Sequence, residues 1–190
     1  MMLWRGRWLW PILGVLLALL PVGCGTAALS LDNSAPLVPS PEIGQSLSRP
    51  QPPRAGAEAF DFALMDLEGN AVTLSQFRGR RVLINFWAGW CPSCREEIPV
   101  MVRLYDDLRA QGLEILAVNV LETPDVVRRA ARHYEMPFPV LLDEKGDVQR
   151  AYFVRGLPTS IVVDEEGVVR VIHRGILTEA SLRQYARESR

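Results

Sequence analysis

The sequence is poor in the residues that build metal sites and disulfide frameworks. Three cysteines and two histidines stand in 190 residues. His133 and His173 lie far along the chain at no ligand spacing, and Cys24 is remote from Cys91 and Cys94. A structural zinc site, which usually takes a second pair of ligands, has nothing to complete it. Two cysteines in one motif do not make a framework of bridges. A c-type haem attachment needs a histidine after the second cysteine, where Arg95 stands. No strong excess of charge is present either. The formal net charge is −1, and no basic stripe is interleaved with aromatics, which argues against a nucleic-acid partner. No internal repeat is present.

What is present centres on residues 82–99, Val-Leu-Ile-Asn-Phe-Trp-Ala-Gly-Trp-Cys-Pro-Ser-Cys-Arg-Glu-Glu-Ile-Pro. Val82 to Trp87 is an apolar, strand-favouring run. Cys91 and Cys94 follow, and an amphipathic helical pattern starts at once. A buried strand that delivers C-x-x-C to a helix N-terminus is the geometry of a dithiol redox site. The thiolate is the nucleophile, and unpaired N–H groups with the positive end of the helix dipole stabilise it. Cys91 is placed to attack a disulfide; Cys94, one turn further in, is placed to resolve the mixed disulfide. A structural disulfide is the inert alternative.

The run at 85–94, the Glu97 and Pro99 that follow, and Gly-Leu-Pro-Thr at 156–159 resemble the thioredoxin superfamily. In detail they are similar to the membrane-anchored thiol–disulfide oxidoreductases of the ResA/TlpA/CcmG type, with a redoxin or AhpC/TSA-like domain. The resemblance spans about residues 56–188. It implies an α/β thioredoxin-like fold, a redox activity without cofactor or metal, and an extracytoplasmic setting.

The N-terminus has the pattern of a targeting segment. Arg5 and Arg7 precede an apolar run, and no charged residue occurs from Trp8 to Leu31. Residues 1–31 are expected to be a signal-anchor or signal peptide, with the rest of the chain outside the cytoplasm. Retention as a single-pass anchor is favoured; cleavage near Thr26-Ala27-Ala28 and lipidation at Cys24 are the alternatives, the latter weakened by Pro21. Residues 32–57, rich in proline, serine and glycine, read as a disordered tether. Residues 58–190 form the domain, and 48% apolar composition supplies a sizeable core.

Within the domain, Phe60–Met65 and Ala71–Leu74 predict an N-terminal hairpin around Leu67–Asn70. A helix is expected from Pro92 to Gln111, burying Ile98, Met101, Leu104, Tyr105 and Leu108, kinked at Pro99 and stopped by Gly112. Leu113–Leu121 predicts a parallel strand. Thr123-Pro124 should cap a helix reaching Tyr134 that buries Val126, Val127, Ala130 and Tyr134. Arg128, Arg129 and Arg132 form a solvated face on the plain reading and a docking patch on the sharper one. A strand at Phe138–Leu142, a short helix at Asp147–Phe153, a hairpin at Ser160–Val163 and Val168–His173, and a helix capped by Thr178 complete a mixed sheet flanked by helices. The segment 123–142 matches the αβ insert of the family.

Further site residues come from the resemblance. It implies a cis bond between Leu157 and Pro158, facing Cys91, with the Leu157 backbone offered to an extended substrate. An ordinary trans proline at a strand start is the alternative. Glu97 lies three residues after Cys94 on the same side of the helix. Burial could raise its pKa far enough to exchange the Cys94 proton; a helix-surface acid is the alternative, which Glu96 illustrates. Trp90 is expected to pack beside Cys91 and shape the docking surface; core packing is the alternative. Asn85 stands where ordinary thioredoxins bury an aspartate. Pro92-Ser93 departs from the usual C-x-Pro-Cys: Pro92 withholds an N–H from the thiolate, and the Ser93 hydroxyl is a possible substitute donor.

The resulting expectation is an extracytoplasmic reductant of disulfides in exported proteins, such as apocytochrome c. Its electrons would come from a membrane thiol carrier of the CcdA/DsbD kind. A disulfide-forming oxidase or isomerase uses the same residues with opposite poise. A peroxiredoxin expects Pro-x-x-x-Thr-x-x-Cys, which Ala88-Gly89-Trp90 does not match.

Overall fold

The computed structural model describes residues 52–187. The anchor or signal segment, Cys24 and most of the tether lie outside them. Among the described residues no helix is long and apolar enough to cross a membrane.

The strands are β1 (Ala63–Asp66), β2 (Ala71–Thr73), β3 (Arg81–Trp87), β4 (Leu113–Val120), β5 (Val140–Asp143), β6 (Thr159–Val163) and β7 (Val169–Arg174). The helices are α1 (Pro92–Ala110), α2 (Pro124–His133), α3 (Asp147–Ala151) and α4 (Glu179–Arg187). One mixed sheet runs β2-β1-β5-β4-β3-β6-β7. Strand β3 pairs parallel with β4 and antiparallel with β6, so it sits centrally, and all seven of its residues are buried. Burial on both faces is why β3 and β4 read as continuous apolar runs without alternation.

Helix α1 buries the five apolar residues its spacing predicts, and Cys94 and Glu97 with them. Pro92 occupies its first position, where a missing N–H costs nothing. Pro99 does not end the helix; it lies on the exposed side. Gly112 follows the C-cap Gln111 at φ 85°, the left-handed conformation in which glycine ends a helix cheaply. Buried Arg81 then joins two helix ends, donating to the carbonyls of Gln111, Tyr185 and Ala186.

Several edges differ from the expectation. Strand β1 starts at Ala63, and Phe62 instead accepts the Leu74 N–H through its carbonyl. Strand β5 starts at Val140 because Pro139 before it has no N–H to give the ladder. Helix α3 stops at Ala151, and Phe153 adopts φ 52°. Thr123 takes the N-cap position of α2, but its hydroxyl makes no capping bond. Of the expected buried residues of α2 only Val127 is fully buried; Val126, Ala130 and Tyr134 are half-buried. Thr178 does cap α4, its Oγ1 accepting the Ser181 N–H at 3.2 Å. The end of the proposed tether is already packed: Gly56 and Ala57 bond to Val169, and Ala59 bonds to Gly167. Backbone pairing needs no apolar side chain, so composition carried no sign of it.

Candidate active site

The C-terminal end of β3 leads through Ala88-Gly89-Trp90 to Cys91, the N-cap residue of α1. Its extended backbone (φ −83°, ψ 113°) turns Sγ back over the first helical turn, where it accepts the Cys94 N–H at 3.2 Å. A helix N-cap side chain satisfies an orphan donor in this way, and here the acceptor is sulfur. Cys91 and Cys94 are disulfide-bonded with Cα atoms 5.3 Å apart. Cys91 keeps 4% exposure and Cys94 has none. Attack from outside therefore reaches Cys91 first. In the disulfide the N–H donor to Cys91 Sγ is that of Cys94; Pro92 has none to supply.

Glu97 is fully buried. One carboxylate oxygen accepts from Asn85 Nδ2 at 2.7 Å, and the other accepts the Leu177 N–H at 2.7 Å. Burial disfavours the charged form more than these two bonds favour it, and the pKa is pushed up to about 7. Glu96, one position earlier, is exposed. Asn85 Nδ2 also reaches Ser160 Oγ on β6 at 2.9 Å, so the acid is tied to both strands and to the turn before α4.

Strand β6 begins at Thr159 opposite Phe86, at the sheet end from which Cys91 emerges. The bond between Leu157 and Pro158 just ahead of it is cis. Pro158 is buried, Leu157 half-buried, and the Pro158 carbonyl accepts the Gly175 N–H at 3.0 Å. Trp90 stands out to solvent with 62% exposure rather than packing inward.

A residue not singled out from the sequence holds the active-site loop. Glu122, just past β4, accepts the Gly89 N–H at 2.6 Å and Asn119 Nδ2 at 2.7 Å through one oxygen. Nothing local marks it, since Gly89 lies 33 residues away. On α2, Arg128 is engaged with Asp125 and the Leu67 carbonyl, whereas Arg129 and Arg132 face solvent. Among the described residues no group of cysteine, histidine and acids could hold a metal.

The sequence profile of the AhpC/TSA family matches residues 55–172. The chain belongs to the AhpC/TSA family. Within this family it is 39% identical over 132 residues to the thiol-disulfide oxidoreductase ResA of Halalkalibacterium halodurans, covering 70% of this chain and 75% of the relative. It is 41% identical over 130 residues to the ResA of Geobacillus thermodenitrificans, covering 68% and 75%. A crystal structure described as the thiol:disulfide interchange protein DsbE of Chlorobium tepidum superposes with a TM-score of 0.66 at 33% identity, over 70% of this chain and 95% of that one. The thioredoxin-like fold and the buried Cys91–Cys94 pair agree with these likenesses, and this AhpC/TSA-family chain is a thiol–disulfide oxidoreductase.

Proposed function

We propose that the chain is a membrane-tethered reductant of disulfides in exported proteins, apocytochrome c among them, recharged by a membrane thiol carrier of the CcdA/DsbD kind. The observation that carries the direction is how little the site does for a thiolate. A strong disulfide oxidant owes its poise to a stabilised reduced form. Here Cys91 Sγ has one N–H donor at 3.2 Å, Pro92 offers none, and a buried acid sits one turn along α1. Such a site favours its own disulfide and gives electrons away.

In the reducing direction the Cys91 thiolate attacks one sulfur of the substrate disulfide and displaces the other as a thiolate. Glu97 takes the Cys94 proton. The Cys94 thiolate then attacks Cys91 Sγ, closes the enzyme disulfide and releases the second substrate thiol. Two electrons pass to the substrate. Trp90 and the Leu157–Pro158 turn are assigned to docking, since both stand at the sheet end that carries Cys91.

The uncharged run from Trp8 to Leu31 behind Arg5 and Arg7 supports the extracytoplasmic placement. In intact cells, a membrane-impermeant maleimide should label Cys91 of a Cys94→Ser chain. Deleting the gene should leave haem-binding cysteines of apocytochrome c oxidised. Labelling only after lysis refutes the placement, and fully reduced apocytochrome c in the deletion strain refutes the substrate.

A further inference from the structure

A cleft of about 210 Å³ opens beside the Leu157–Pro158 turn. Ile161 and Ile172 are among the side chains that line it, beside Tyr152, and its charged side chains are Arg155 and Arg174; no carboxylate lines it. Both arginines are exposed, and neither has an ion pair or side-chain hydrogen bond among the described residues. Arg78, Arg150 and Arg170 are matched to Glu58, Asp147 and Asp164, and Arg132, which has no ion pair of its own among the described residues, lines a cleft that also holds Glu68 and Glu135. Two unneutralised guanidinium groups in a cleft that also presents isoleucine side chains suit a carboxylate on an aliphatic stem, because the planar fork of arginine pairs both carboxylate oxygens.

Position selects the occupant. The cleft shares Leu157 and Pro158 with the start of β6, at the sheet end from which Cys91 emerges. An extended polypeptide advances about 3.3 Å per residue, so a chain whose disulfide meets Cys91 and which runs on past the Leu157–Pro158 turn would carry side chains a few residues away toward this cleft. We infer that Arg155 and Arg174 form a specificity subsite for polypeptide disulfides that carry an acidic residue near the reacting cysteine. The inference rests on thiol–disulfide exchange with a polypeptide and holds whatever the cellular substrate.

Single-turnover kinetics test it. The full chain, pre-reduced with dithiothreitol and desalted, reacts with three peptides closed by one Cys-x-x-Cys disulfide and differing only in flanking residues: glutamate, glutamine or lysine. Rates should follow glutamate, glutamine, lysine, with glutamate over lysine by about tenfold at low salt and about twofold at 0.5 M, as expected for screened charges. The ratio should fall toward one in Arg155→Gln/Arg174→Gln and persist in Arg155→Lys/Arg174→Lys. Because the readout is a ratio within each variant, a general loss of activity does not mimic it. Equal rates for all peptides, a preference for lysine, or a ratio unchanged by the glutamine pair overturns the inference. The last result is also what a lipid surface or a second copy in the cleft would give.

Discussion

One helix step separates Glu96 from Glu97, a rotation of about 100°. It sends the first acid to solvent and the second under the sheet, against Asn85 and the Leu177 N–H. The buried acid, with its pKa pushed up to about 7, is poised to take and return a proton near neutral pH. Glu97→Gln keeps shape and hydrogen bonding but cannot titrate. It should slow release of the mixed disulfide by at least about tenfold and flatten the pH profile between about pH 5 and 8, whereas Glu96→Gln should do little. Stopped-flow release of a thiol chromophore reads both, and identical behaviour of the two variants would reduce Glu97 to a packing residue. The cysteines divide along the same line of burial. Iodoacetamide near pH 6 should label Cys91 of the reduced chain well before Cys94, and Cys94→Ser should trap mixed disulfides that Cys91→Ser does not. Mass spectrometry of the alkylated peptides decides it; Cys94 labelled first contradicts the assignment.

Elements whose pattern is local were legible from the residues. Helix α1 shows because Ile98, Met101, Leu104, Tyr105 and Leu108 recur at helical spacing, and Cys91, Cys94 and Glu97 fall within seven positions of one another. The burial of the five apolar residues follows from that spacing; for Glu97 the spacing leaves a helix-surface acid equally open, and only the resemblance favours a buried one. What joins elements is not local. The Glu97–Leu177 bond spans 80 residues and the Glu122–Gly89 bond 33, so no window of sequence contains either. Strand ends shifted for equally specific reasons, such as the missing N–H of Pro139. Arg81 is another junction invisible in sequence. It reads as a charged residue at a strand start, yet it caps the carboxyl ends of both α1 and α4. Removing it withdraws the guanidinium donor that these carbonyls share at two helix ends, where positive charge is favoured. Arg81→Met should therefore cost about 2–4 kcal/mol of stability. Urea denaturation measures it, and a loss under about 0.5 kcal/mol would mean water satisfies those carbonyls.

Over the whole domain, the titration of Glu97 couples pH to stability. Its pKa is about 7 folded against an ordinary 4.5, so between these values the folded chain holds a proton that the unfolded chain has released. The stabilisation is complete below about pH 4.5 and is lost as pH rises through about 7, and the shift amounts to about 3 kcal/mol. The unaltered chain should thus lose about 2–3 kcal/mol relative to Glu97→Gln between pH 5 and pH 8. Parallel stability curves would show that the carboxyl is not desolvated in solution. In the proposed function, the sparse support for a Cys91 thiolate is what sets the direction of electron flow. The measurement that bears most directly on it is the reduction potential of the Cys91–Cys94 pair, taken by equilibrating the full chain with dithiothreitol buffers and trapping free thiols. The account predicts about −230 mV or lower, in the range of glutaredoxins and thioredoxin; a value near −120 to −180 mV, that of oxidants and isomerases, would contradict it.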